Sequence, residues 1–87
     1  MPGIVRKNQD TTGGLNIQGS SNVFVNGKGA VRINDLVLGH GPGTHGAPFM
    51  AQGSPNVFVN GKKVCRKGDI ANCSHPASSG SNNVFAN

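Results

Sequence analysis

Apolar residues in this chain come in short bursts and never in long runs. The clearest burst is Val-Phe-Val, at 23–25 and again at 57–59. β-Branched and aromatic residues bounded by Gly, Ser, Pro and Asn mark a strand. Asn-Gly follows each burst, at 26–27 and 60–61. That pair predicts a type I′ hairpin turn, because both central residues need positive φ. The chain is then expected to return as a second strand, near Ala30–Ile33 and Val64–Lys67. No window repeats its apolar positions at helical period. Side chains alternate faces along a strand, so Val23 and Val25 share one face and Phe24 takes the other. The same split separates Val57 and Val59 from Phe58, and Val84 and Ala86 from Phe85. One face can make a small core. The other is either core as well or a surface for a partner.

The bursts belong to longer repeats. Residues 19–28 read Gly-Ser-Ser-Asn-Val-Phe-Val-Asn-Gly-Lys, and residues 53–62 differ from them only in having Pro55. Beyond the turn, Val31 matches Cys65, Arg32 matches Arg66 and Asp35 matches Asp69. Upstream, Leu15 matches Phe49 and Gln18 matches Gln52. A third copy, residues 80–87, stops at Asn87 before any return strand. The expected organisation is one all-β domain over 1–87, with repeats at about 15–45 and 49–77 and a partial third at 78–87. Three copies in one chain mimic a three-fold axis, which suits binding to a trimer. Phe24, Phe58 and Phe85, with Val23, Val57 and Val84, are the candidate docking set, since exposed apolar patches mark interfaces.

The chain has 87 residues, of which 34% are hydrophobic and 14 are Gly. A core of that size is marginal, so a staple is expected: disulfide, metal or partner. The net charge is +5, from eight Lys/Arg against three Asp. Basic residues are spread along the chain with no aromatic platform between them, so nucleic acid is not an expected partner. No segment is long and apolar enough for a membrane span. The N-terminus lacks the apolar region of a secretory signal, so export would take another route or occur as part of a particle.

Cys and His supply the candidate chemistry. His40 and His45 frame a loop after Asp35; Cys73 and His75 follow Asp69. If the repeats pack side by side, the two pairs converge. Cys73 and His75, two apart in an extended segment, would face the same way. One thiolate and three imidazoles make a tetrahedral zinc set, and four protein ligands imply a closed structural site. Iron suits the same donors. The competing readings are loop histidines without a metal and a Cys65–Cys73 disulfide. Cys65 stands where the first repeat has Val31, which favours a small buried hydrophobe. Asp35 and Asp69 each follow an Arg by three residues, which points to turn capping or Arg pairing. Residues 41–46 formally fit Gly-x-Gly-x-x-Gly, but no βαβ unit fits this length. An enzyme is not expected.

These repeats resemble those of PAAR-repeat proteins, the tips of contractile injection machines. The family pattern runs Gly-Ser-x-x-Val-x-(Ile/Val)-Asn-Gly, then Pro-Ala-Ala-Arg, then x-Gly-Asp, with His and Cys beyond. Gly19–Gly27 and Gly53–Gly61 match its first part closely. Pro-Ala-Ala-Arg appears here as Gly29-Ala30-Val31-Arg32 and Lys63-Val64-Cys65-Arg66, and Gly-Asp as Asn34-Asp35 and Gly68-Asp69. The resemblance implies a small conical fold of short hairpins in pseudo-three-fold arrangement, with zinc near the apex held by His40, His45, Cys73 and His75. It implies a monomer sitting one copy per trimer on a β-helical spike, either the central spike of a phage tail or its type VI secretion counterpart. The implied role is a non-enzymatic cap that sharpens a membrane-piercing spike, in a virion or secreted with the spike, touching the target envelope transiently. The rival function is a zinc-stabilised binding module for a polyanion such as nucleic acid or lipopolysaccharide.

Overall fold

The computed structural model describes all residues, 1–87, and is all-β apart from one 3-10 turn at Gly43–His45. The strands are very short. β1 (Phe24–Val25) pairs with β2 (Lys28–Gly29), and β3 (Phe58–Val59) with β4 (Lys62–Lys63), both antiparallel. The Asn-Gly turns are as expected. Asn26 and Gly27 have φ of 54° and 80°, and Asn60 and Gly61 have 54° and 77°.

The return strands differ from the expectation. They begin at Lys28 and Lys62, and the hairpin ladder ends after two residues. The Ala30 and Val64 N–H groups still donate to Val23 O and Val57 O of their own hairpins, but the bridges beyond the two-residue ladder go to the neighbouring repeat: Arg6 with Ala30, Arg32 with Val64, and Ile4 with Arg66. A hairpin this short cannot satisfy its own backbone. The next repeat takes over its donors and acceptors.

The N-terminus supplies the missing return of the third repeat. Gly3 pairs with Phe85, Ile4 N donates to Val84 O, and Ala86 N donates to Pro2 O. The chain is thus a closed ring of three units, one of them assembled from both ends. At its centre three hydrogen bonds run head to tail. Val31 N donates to Val5 O, Cys65 N to Val31 O, and Val5 N to Cys65 O, at 2.8–3.0 Å.

The core stacks along this pseudo-three-fold axis in two clusters. One holds Val25, Val59 and Ala86 over Ala30, Val64 and Ile4. The next holds Val5, Val31 and Cys65, then Val37, Met50, Ala71, Ala77 and Cys73. Val, Ala and Cys dominate because three side chains must meet at one point on the axis.

Each unit is held by an ion pair between a partly buried Arg and a buried Asp. Asp10, Asp35 and Asp69 are all buried. Each accepts two bonds from an Arg guanidinium (Arg6, Arg32, Arg66) and one from that Arg's backbone N–H, at 2.8–3.0 Å. The sequence reading matched only the second and third of these pairs. Arg6–Asp10 carries one extra residue between its members, and this hides the match. Arg6 and Arg32 also donate to the turn residues Asn26 and Asn60 of the next unit. The repeated Gly-Ser has its own role. Ser20, Ser54 and Ser81 accept through Oγ from the backbone N–H two and three residues on, fixing the entry to each strand.

Burial opposes ionisation of Asp10, but the bonds from Arg6, Ser79 and the Arg6 backbone outweigh it. They hold the carboxyl below the usual carboxylate range. A folded-state value below the unfolded one stabilises at pH above about 4, the unfolded value. That contribution drains away as pH falls through the folded value. Asp10→Asn should therefore cost about 2–4 kcal/mol at neutral pH. The gap to wild type should close in urea melts taken at successively lower pH. A gap independent of pH would show that the charge of Asp10 does not stabilise the fold.

Candidate metal centre

Beyond each Arg–Asp turn the chain makes a second, shorter pairing and then a loop. The pairings are Thr11 with Leu15, Leu36 with Phe49, and Ile70 with Pro76. The three loops meet at the end of the molecule next to Cys73, away from the hairpin turns. Two of them carry donors. His40 and His45 come from the loop after Leu36, and Cys73 and His75 from the loop after Ile70.

Their donor atoms face one another within 4.8 Å. His40 Nε2 lies 2.9 Å from His75 Nδ1 and 3.2 Å from His45 Nδ1. Cys73 Sγ lies 3.7 Å from His40 Nε2 and 3.8 Å from His75 Nδ1. A tetrahedral ion with nitrogen at about 2.0–2.1 Å and sulfur at about 2.3 Å spaces nitrogens about 3.4 Å apart and nitrogen from sulfur about 3.6 Å. The four separations given, 2.9–3.8 Å, bracket those lengths. One thiolate and three imidazoles brought this close together could hold one metal ion.

The surroundings fix the donors. His40 Nδ1 lies 3.0 Å from Leu38 O. Donation of Nδ1–H to that carbonyl leaves the Nε2 lone pair for the metal, the usual support for a ligating imidazole. Cys73 is buried at the top of the core, and the three imidazoles are partly exposed. The convergence of Cys73 and His75 does not come from an extended segment, as expected, but from a turn. Ser74 sits between them at φ 73°, and the Ser74 N–H donates to Ala71 O. A turn brings the two donors onto one point more tightly than an extended segment would.

The third loop gives room instead of a ligand. Gly13 has φ of 79°. A Cβ there would stand 2.0 Å from His75 Nδ1 and 3.0 Å from His40 Nε2, and one at Gly14 would stand 2.4 Å from Leu38 O. Gly13-Gly14 is a cradle that any side chain would fill. Sequence reading missed it. Its signal was a glycine pair three residues after Asp10, once Asp10 is matched to Asp35 and Asp69.

Cys65 is not in this group. Both cysteines are free, and Cys65 lies in the core layer with Val5 and Val31. Burial pushes its thiol well up, and Asp69 and Asp35 push the same way. A thiol so held stays protonated, unlike a metal ligand.

The candidate docking residues lie at the other end. Phe24, Phe58 and Phe85 are 60%, 55% and 46% exposed, which overturns the reading of the Phe set as core. Burial falls instead to Val25, Val59 and Ala86. The preceding Val57 and Val84 pack partly against them, and Val23 is exposed.

Removing a donor and filling the cradle should act alike. Cys73→Ser and Gly13→Val are each expected to lower bound metal per chain and the melting temperature together. Elemental analysis with thermal melts checks this. Full metal content in Gly13→Val would show that the cradle has no bearing on the site.

Among curated proteins none matches the chain. The PAAR motif family matches residues 38–87, which include all four metal donors, the whole second repeat and the third copy. With more than half its length matched, and with the closed hairpin fold and the His/Cys group in place, the chain belongs to the PAAR motif family.

Proposed function

We propose that this protein is a non-enzymatic structural cap for the tip of a trimeric β-helical spike in a contractile injection machine, one copy per trimer. The observation that carries the proposal is the three-fold placement of exposed phenylalanines. Phe24, Phe58 and Phe85 come from equivalent positions of three units around one axis. A single chain that presents the same apolar group three times matches a three-fold partner. The metal centre lies at the opposite end, where it crosslinks two loops at the point. Zinc is the ion this reading assigns, since the set is one sulfur and three nitrogens with no carboxylate. Iron is the alternative that elemental analysis decides. Every side-chain carboxylate is already bound to an Arg, which leaves none free to act as a general base beside the ion. The role is mechanical: a crosslinked point resists local unfolding under load.

The test uses a trimeric β-helical spike of the same machine. Mixing should give a complex of one chain per trimer by light scattering, stable at high salt. Polyanion binding would instead weaken steeply with salt. Phe24→Asp with Phe58→Asp should weaken the complex by about a hundredfold or more and leave the melting temperature nearly unchanged, because both rings are exposed. Three chains per trimer, or undiminished binding by the double variant, would overturn the proposal.

A further inference from the structure

Lys, Arg and Asp are confined to one half of the molecule. The segments beyond the Asp turns, 11–18, 36–52 and 70–78, contain none of them, and the chain has no Glu. The three Arg are matched to the three Asp. The whole +5 therefore falls to Lys7, Lys28, Lys62, Lys63 and Lys67, none of which is in an ion pair.

Backbone pairing places all five at the hairpins. Lys28 lies in β2, and Lys62 and Lys63 in β4. Lys7 N–H donates to Gly29 O in β2, and Lys67 N–H donates to Gly3 O in the return strand of the third hairpin. Each hairpin thus has a lysine on its return strand or on the segment bonded to it. Lys63 stands opposite Phe58 across the ladder, and opposed residues project to the same side. Lys62, Lys63 and Lys67 are exposed, and Lys7 and Lys28 are half-buried. All three side-chain carboxylates are buried. The end that carries Phe24, Phe58 and Phe85 is therefore apolar with unanswered cations around the rings.

This combination constrains what can sit there. A neutral surface would strip water from the lysines and return nothing, and a cationic one would repel them. Nucleic acid supplies anions but no apolar set for three phenylalanines placed around one axis. A protein surface with carboxylates around an apolar centre answers both features. With its lysines at one end only, the molecule also has a preferred orientation in the field of an anionic partner: hairpins first.

We propose that, in the spike docking put forward above, the receiving surface presents Asp or Glu carboxylates around an apolar centre, and that the lysines steer the cap onto it hairpins first. This rests on that docking and adds the chemistry of the surface that is docked. The phenylalanines hold the complex. The lysines set how fast it forms, because rim charges act mainly on association.

The test follows association of the metal-loaded chain with a dye-labelled trimeric spike by stopped flow. It is run in about 20 mM and about 500 mM salt, where the screening length falls from roughly 20 Å to roughly 4 Å. The association rate constant should fall about tenfold or more over that range, with the dissociation rate constant within about twofold. Lys28→Gln, Lys62→Gln and Lys63→Gln together should lose about tenfold of the low-salt association rate and most of its salt dependence. A complex of one chain per trimer whose association ignores salt would overturn the proposal and leave the docking standing. Equal low-salt rates for the triple variant and the wild type would do the same. No complex at either salt would remove the docking and the proposal with it. Tighter binding to phosphatidylglycerol vesicles than to the spike would overturn the proposal in favour of a lipid surface. The salt comparison needs no substitution, so it decides the matter even where the triple variant folds poorly.

Discussion

Three backbone hydrogen bonds, running from Val31 to Val5, from Cys65 to Val31 and from Val5 to Cys65, close this fold on itself. A head-to-tail triangle has no first member. None of its bonds has its full context until all three units are present, and one unit is made from residues 2–6 and 80–87 together. Two-residue hairpins would not persist alone. Their edges are satisfied because every strand leaves its own hairpin for the next. Closure also removes free edges, the feature that makes small sheet proteins stick to one another.

The ring then sorts charge and bulk by height. At its waist the three Arg–Asp forks are matched, each with its carboxylate buried and its Arg partly exposed, and they fix the turns. Pairs buried to this degree cost desolvation and are weak evidence for net stability. Here each also takes up a backbone N–H, and two extend to an Asn in the neighbouring unit. Their effect is to set the rotation of one unit against the next. Above the waist the three-fold rule relaxes. Two loops carry two metal donors each, and the third shrinks to a glycine turn because the site has no space for more. Symmetry in the lower half and asymmetry in the upper half are therefore one construction: a regular base supporting a His/Cys group that could hold one ion.

Much of this was legible in the residues. Asn-Gly marked both hairpin turns through a backbone requirement that few other residues meet. Doubling of the Val-Phe-Val segment exposed the repeats. Pairing Arg32 with Asp35 and Arg66 with Asp69 followed from matched positions. The metal donors were readable as a group because soft and imidazole ligands are scarce in the chain. Other features were hidden because they depend on contacts between distant segments. The return strand of the third unit is Pro2–Arg6, whose Gly3-Ile4-Val5-Arg6 matches Gly29-Ala30-Val31-Arg32 at three of four positions but stands at the opposite end of the chain from residues 80–87, so the match does not read as part of a repeat. The exit of each strand to its neighbour is a matter of backbone pairing, on which side chains are silent. Whether Phe or Val takes the core face was undecided by alternation alone. The structure settles it by size: three Val/Ala side chains fit around the axis and three Phe rings do not.

Closure of the ring also fixes where the two chain ends emerge. Pro2 O accepts from Ala86 N, so the first and last residues leave side by side, next to Phe85 and far from the imidazoles. A polypeptide tethered to either terminus would issue from the end that carries the exposed phenylalanines. The point itself would stay bare whatever the molecule carries.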